Sequence, residues 1–145
     1  MKKFVFEFDS VIRIKEVFEK KVMKEISLID KEIEQSVQKQ KSLNEKKSEL
    51  HKNINSGNIK VYEYRSAKSH IRILEKEVIN YEKKIEELKS RKEQKRLELV
   101  QKKKELKIFE TLKENKKEEF LFDYNREELK QLNELAINNF IRKEK

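Results

Sequence analysis

Apolar residues along this chain recur at alternating steps of four and three, and the pattern breaks decisively once. Val22, Ile26, Ile29, Ile33, Ser36, Gln40, Leu43, Lys47, Leu50 and Ile54 form one seam. Ala67, Ile71, Leu74, Val78, Tyr81, Ile85 and Leu88 form a second. Such steps keep side chains on one face of a helix and are heptad spacing. Between the seams lies NINSGNIKVY, residues 53–62, which holds the only glycine, Gly57; the chain has no proline. Glycine and asparagine tolerate the positive φ that ends a helix, and Ser and Asn side chains bond the local backbone. The pattern predicts an all-α fold: a long two-helix antiparallel coiled-coil hairpin with a C-terminal helical overhang. It forms a single unit over residues 1–145, with helix one over about 10–53, a turn over about 54–61 and helix two over about 62–141.

The seams have weak stretches. Val11, Ile14, Phe18 and Val22 step by three, four and four, which reads as a stutter ahead of the first seam. Ser36, Gln40 and Lys47 are poor core residues, and Val37 offers an alternative to Ser36. The second seam runs on through Lys92 and Lys95 before resuming at Leu99, Leu106 and Phe109. Lysine at a seam position costs stability unless its stem lies in the groove and its ammonium reaches water. Ahead of helix one, Phe4, Phe6 and Phe8 alternate like a strand, but no second strand is evident. They read as an extended or fraying lead-in, with Asp9 or Ser10 as the candidate cap.

The two halves are unequal. For a turn at Gly57, residue k of helix one faces about residue 115 − k, so residues beyond about Leu106 lack a partner in their own chain. At 1.5 Å per residue that overhang reaches roughly 50 Å. It is rich in apolar residues, among them Phe109, Leu112, Phe120, Leu121, Leu132, Leu135 and Phe140. An isolated apolar stripe needs another surface. Folding back onto the hairpin, dimerisation and entry into a partner are the open alternatives.

Composition narrows the class. Charged residues make up 45% and apolar residues 35%, too little for a deep layered core but enough for narrow helical stripes. Disorder has the same composition, but the sustained helical spacing argues against it. Net charge is +9. Residues 83–107 hold eleven cations against five acids, +6 of that total. This run suits either a solvated face with i,i+4 pairs or a patch for phosphate or an acidic protein. A basic nucleic-acid-binding arm is therefore one alternative function, although no aromatic lies within the run for base stacking. A structural homodimer is another.

Little chemistry is on offer. Without cysteine there is no disulfide or thiolate metal site. His51 and His70 lie far apart with no third ligand. One glycine cannot build a phosphate loop, and the many carboxylates sit at generic helical spacing. The expectation is no enzyme, no catalytic or metal site and no cofactor. Glu7 and Asp9 interrupt the opening MKKFVF too early for a signal peptide, and no run approaches the ~20 apolar residues of a membrane span. A cytoplasmic protein is expected.

Residues 106–142, LKIFETLKENKKEEFLFDYNREELKQLNELAINNFIR, resemble the C-terminal signature of the flagellar export protein FliJ family, small coiled-coil components of the bacterial type III export apparatus. The matching residues are Leu112, Lys113, Glu118, Arg126, Glu128, Lys130, Leu132, Glu134 and Ala136. Phe4, Phe6 and Phe8 look like the family's F-x-F opening. Asn133 departs from the usual Asp, and Asn139 from a common basic residue. The resemblance implies a non-enzymatic stalk, similar in form to the central γ stalk of rotary ATP synthases. Its paired termini would enter the hexameric ring of the flagellar export ATPase, promote ring assembly and couple ATP turnover to export. Phe109, Leu112, Phe120, Leu121, Leu132, Leu135 and Phe140 would then contact the ring. Towards the turn, Leu43, Leu50, Leu74 and Tyr81 would meet the cytoplasmic domain of the export gate membrane protein, unless they are ordinary seam residues. Export chaperones would be further partners. The resemblance implies no nucleic acid and no direct membrane insertion, only peripheral association with the inner face of the cell membrane through the export apparatus.

Overall fold

The computed structural model describes residues 2–144, and they form two long helices packed against each other, with no strand: an all-α helical hairpin. Helix α1 is Asp9–Asn55, 47 residues, and α2 is Val61–Lys143, 83 residues. Helices of this length need an unbroken supply of Leu, Lys, Glu, Gln and Arg, and their interiors contain neither glycine nor proline.

The ends have specific causes. Phe8 caps α1 through its backbone, since its carbonyl accepts from the Ile12 N–H at 3.0 Å. Asp9 is instead the first helical residue, and its carboxylate accepts from Lys113 Nζ at 2.6 Å. The Ser56 hydroxyl donates to the Asn53 carbonyl at 2.7 Å, satisfying one free acceptor at the end of α1. Gly57 follows at φ +78°. Lys60 caps the start of α2: its carbonyl accepts from the Tyr64 N–H at 3.0 Å, and its own N–H donates to Glu63 Oε2 at 3.3 Å. That second bond is half of a capping box.

The contacts divide the chain into two compact units. The first comprises the residues up to Glu19 with those from Gln101 onward, and the second is Lys20–Val100.

In the second unit, the core is the heptad seam. Val22, Ile29, Ile71, Leu74, Ile85 and Leu88 are buried, with Ile26, Ile33 and Val78 half-buried between them. Ser36 is 2% exposed and Val37 46%. Val37 therefore does not replace Ser36; the helical angle, not the hydropathy, selects which residue points inward. Lys92 and Lys95 occupy seam positions of α2 and are half-buried. Lys92 pairs with Asp30 at 2.6 Å and Lys95 with Glu25 at 2.8 Å. The lysine stems fill the groove while their ammonium groups reach acids on the edge of α1.

In the first unit, Phe6, Ile12 and Leu106 form the buried cluster, with Phe4 and Phe109 packed against it. The expected stutter is absent. Ile12, Lys15 and Glu19 are turned inward, with Val11 half-buried beside them, while Ile14 and Phe18 are 56% and 48% exposed. Ile12, Lys15 and Glu19 step by three and four, the spacing of one helical face within the first unit. Lys15 pairs with Glu105 at 3.1 Å, and Lys102 lies over the Phe18 ring at 5.7 Å.

The facing register also differs from 115 − k. Lys15 meets Glu105 and Asp9 meets Lys113, five and seven positions further along α2. In the second unit Glu25 meets Lys95 and Asp30 meets Lys92, with the same offsets. Extended residues advance about 3.3 Å each against 1.5 Å in a helix, so the non-helical residues ahead of Val61 carry the start of α2 past the end of α1.

Candidate functional site

The candidate site follows from which part of α2 the first unit covers. The lead-in does not fray. It runs without regular structure along α2 and lays its phenylalanines on it. The Phe8 and Phe109 rings meet edge-on with centroids 5.8 Å apart, and Phe4 and Phe120 meet at 5.6 Å. Phe6 also meets Phe8, at 5.7 Å. Alternation makes this possible, because in extended chain every second side chain points the same way. It serves here to cover a helix, not to pair a strand. Phe120 in turn stacks on Tyr124 at 6.3 Å.

The stretch without a partner therefore starts later than Leu106. Leu106 is buried, Phe109 and Phe120 are half-buried under the lead-in, and Lys113 is held by Asp9. Leu112 lines the groove beside Phe4 and Phe8 and stands at the edge of exposure, 36%. From Gln131 onward every described residue is exposed. Helix α2 does not fold back; it runs unbroken to Lys143.

Along this stretch several apolar residues recur at helical spacing, while Ile137 and Ile141 lie off their stripe. Phe122, Leu129, Leu132, Ala136 and Phe140 step by seven, three, four and four, flanked by Leu121 and Leu135. Leu132, Leu135 and Phe140 are 57%, 59% and 64% exposed. The stripe has helical spacing but no second helix on it among the described residues.

Leu43, Leu50, Leu74 and Tyr81 present a different picture. All four sit on the seam between the helices of the second unit: Leu74 is buried and the other three are half-buried. Near the turn, Val61, Tyr62 and Tyr64 are the outward-facing apolar residues. Hydropathy singled out the seam residues because seam and surface contact draw on the same residue types.

The charged run at 83–107 is partly spoken for. Lys92 and Lys95 bridge to α1, and Arg96 pairs with Glu93 on its own helix at 2.7 Å. Lys95 donates to Glu25, which holds the Glu25 carboxyl below its ordinary range and raises Lys95. Lys15 does the same to Glu105, and the Arg96 guanidinium to Glu93. No group of carboxylates and histidines among the described residues is arranged to hold a metal. No helix among them is long and apolar enough to cross a membrane.

Comparison with known proteins bears on this arrangement. A family model described as "Flagellar FliJ protein" matches residues 4–145. No curated protein matches the chain, and no solved structure does. The match takes in the aromatic lead-in, both helices and the uncovered stripe. The chain belongs to the flagellar FliJ family, structural components of the flagellar export apparatus.

Proposed function

We propose that this protein is a non-enzymatic stalk of the flagellar export apparatus, and that the uncovered stripe of α2 enters the hexameric ring of the export ATPase. The observation that carries the proposal is the run of exposed Leu129, Leu132, Leu135 and Phe140, each within about one helical turn of the next on the uncovered part of α2. Residues buried only on association contribute to affinity and not to the stability of the free chain. Leu121, Leu132, Leu135 and Phe140 form the primary ring contact. Leu112, Phe109 and Phe120 take part together with the lead-in that packs on them. Such a shaft promotes ring assembly by touching several subunits and couples the ring to export by touching them unequally. Leu43, Leu50, Leu74 and Tyr81 support the gate-facing part from within, by holding the helices in register beneath the surface that meets the gate. Export chaperones are further partners. The assembly works at the inner face of the cell membrane.

The test is a triple substitution, Leu132→Ser, Leu135→Ser and Phe140→Ser, in the full chain. Fully burying one Leu or Phe is worth about 1.5–3 kcal/mol, so even one lost contact weakens binding to the purified ATPase at least tenfold. Unchanged binding and ATPase stimulation would overturn the insertion reading. Sedimentation of the free chain separates it from self-association: a concentration-dependent dimer abolished by the same substitutions would make a second copy the occupant of the stripe.

A further inference from the structure

The conspicuous positive charge in the sequence is the run at 83–107, where acids are interleaved with the cations; a second cluster of unpaired cations lies near the turn, where only one acid accompanies them. Residues 51–72 carry Lys52, Lys60, Arg65, Lys68 and Arg72 against one acid, Glu63. All five cations are exposed, and none takes part in an ion pair among the described residues. Glu63 is engaged locally, accepting from the Lys60 N–H and the Tyr62 hydroxyl, each at 3.3 Å. The next acid along α2, Glu75, is held by Lys47 at 3.6 Å.

The cations are ordered along the helix. Val61, Arg65, Lys68 and Arg72 step by four, three and four and share one face of α2. Tyr64 joins them, its ring 5.7 Å from Lys68 Nζ. Tyr64, Arg65, Lys68, Ser69 and Arg72 line one shallow recess. At the start of the same helix Val61 and Tyr62 stand 73% and 67% exposed. An apolar and aromatic first turn followed by two turns of unpaired cations has the make-up of a helix that lies in a lipid interface. The aromatic rings sit at headgroup level, and Lys and Arg sit among the phosphates.

We infer that this face of α2 docks on a membrane surface rich in anionic phospholipid, with Arg65, Lys68 and Arg72 against headgroup phosphates and Val61 and Tyr62 at the acyl boundary. Nucleic acid would satisfy the cations but leaves the exposed Val61 without a partner; a lipid interface takes both. The docking is interfacial and needs no membrane-spanning segment. It does not depend on ring insertion, which uses other residues.

Flotation of the full chain with phosphatidylcholine vesicles, with and without phosphatidylglycerol, tests it. Binding is expected only with the anionic lipid and falls as salt is raised. Each cation near such a surface is worth about fivefold, so R65Q/K68Q/R72Q lowers partitioning by about a hundredfold with unchanged helicity. Removing equal charge elsewhere, K103Q/K104Q/K107Q, lowers it far less. Equal loss in both variants means that net charge alone is at work and overturns the site. Equal binding to both kinds of vesicle overturns it as well. Preferential capture of the wild type by polyglutamate or single-stranded RNA, lost in the first variant, assigns the face to another class of partner and overturns the lipid reading.

Discussion

Gly57 shows how narrow a residue-scale requirement can be. A Cβ built there meets no atom within 4 Å, so space is not the constraint. The constraint is φ +78°, which L-residues adopt at a cost of about 1–2 kcal/mol. Gly57→Ala should therefore lower the stability of the second unit by about that amount in urea unfolding, and Gly57→Asn by less. An equal loss for both would point away from the backbone. Ser36 makes the complementary case. Leucine at this buried seam position should crowd the interface and cost about 1–3 kcal/mol, whereas Val37→Ser should stay within about 0.5 kcal/mol. Gly57 was legible in the sequence because only one residue type suits its conformation. Ser36 was half legible: its spacing placed it on the seam while its hydropathy argued against it, and spacing prevails.

At the scale of the helices, heptad spacing made both elements and their apolar seams legible. The exception was the start of α1, where Ile14 and Phe18 carry the hydropathy but Lys15 and Glu19 carry the angle. Long amphipathic stems can occupy a groove as apolar side chains do, and a hydropathy pattern does not register them. Their charges make the pairing of the helices sensitive to acid. Lys95 and Lys15 hold the Glu25 and Glu105 carboxyls below their ordinary range, first through hydrogen bonds. Carboxyls lowered in the folded state contribute stability that is present above their unfolded pKa, about 4.3, and lost as pH falls through the lowered folded value. Melting temperature should therefore fall on acidification through that window. Lys95→Gln and Lys15→Gln should each reduce the fall, as would be seen in thermal melts between neutral pH and pH 3. An acid sensitivity identical to wild type in both variants would show that other carboxylates control it. Glu93 is lowered too, but by Arg96 on the same helix, so its pair steadies α2 without joining it to α1.

For the molecule as a whole, the lead-in separates two kinds of apolar residue that look alike in the sequence. Phe6 is buried and belongs to the folded chain, so Phe6→Ala should destabilise the first unit by about 3 kcal/mol. Truncation after Lys130 removes, among the described residues, only exposed ones and should leave that melting transition in place while binding to the export ATPase disappears. Truncation after Lys107 would be less discriminating, because it also takes Phe109, Lys113 and Phe120 from beneath the lead-in. The boundary between covered and uncovered residues was not legible beforehand, since it rests on a turn longer than a tight reversal and on a lead-in with no helical signal. The cross-helix ion pairs have one more consequence. A heptad seam repeats every seven residues, so apolar packing alone scarcely distinguishes the correct alignment from one slipped by a single repeat, and the only penalty is two melted turns beside Gly57. The α1 members of the pairs, Asp9, Lys15, Glu25 and Asp30, are six, ten and five residues apart. A one-repeat slip sets Met23 or Val37 against Lys92 and Phe8 or Val22 against Glu105, although in one direction Glu16 and Glu32 take the places of Asp9 and Glu25 opposite Lys113 and Lys95. The charges thus act as a partial vernier against the coarse apolar scale, disfavouring a slipped alignment by the pairs it breaks.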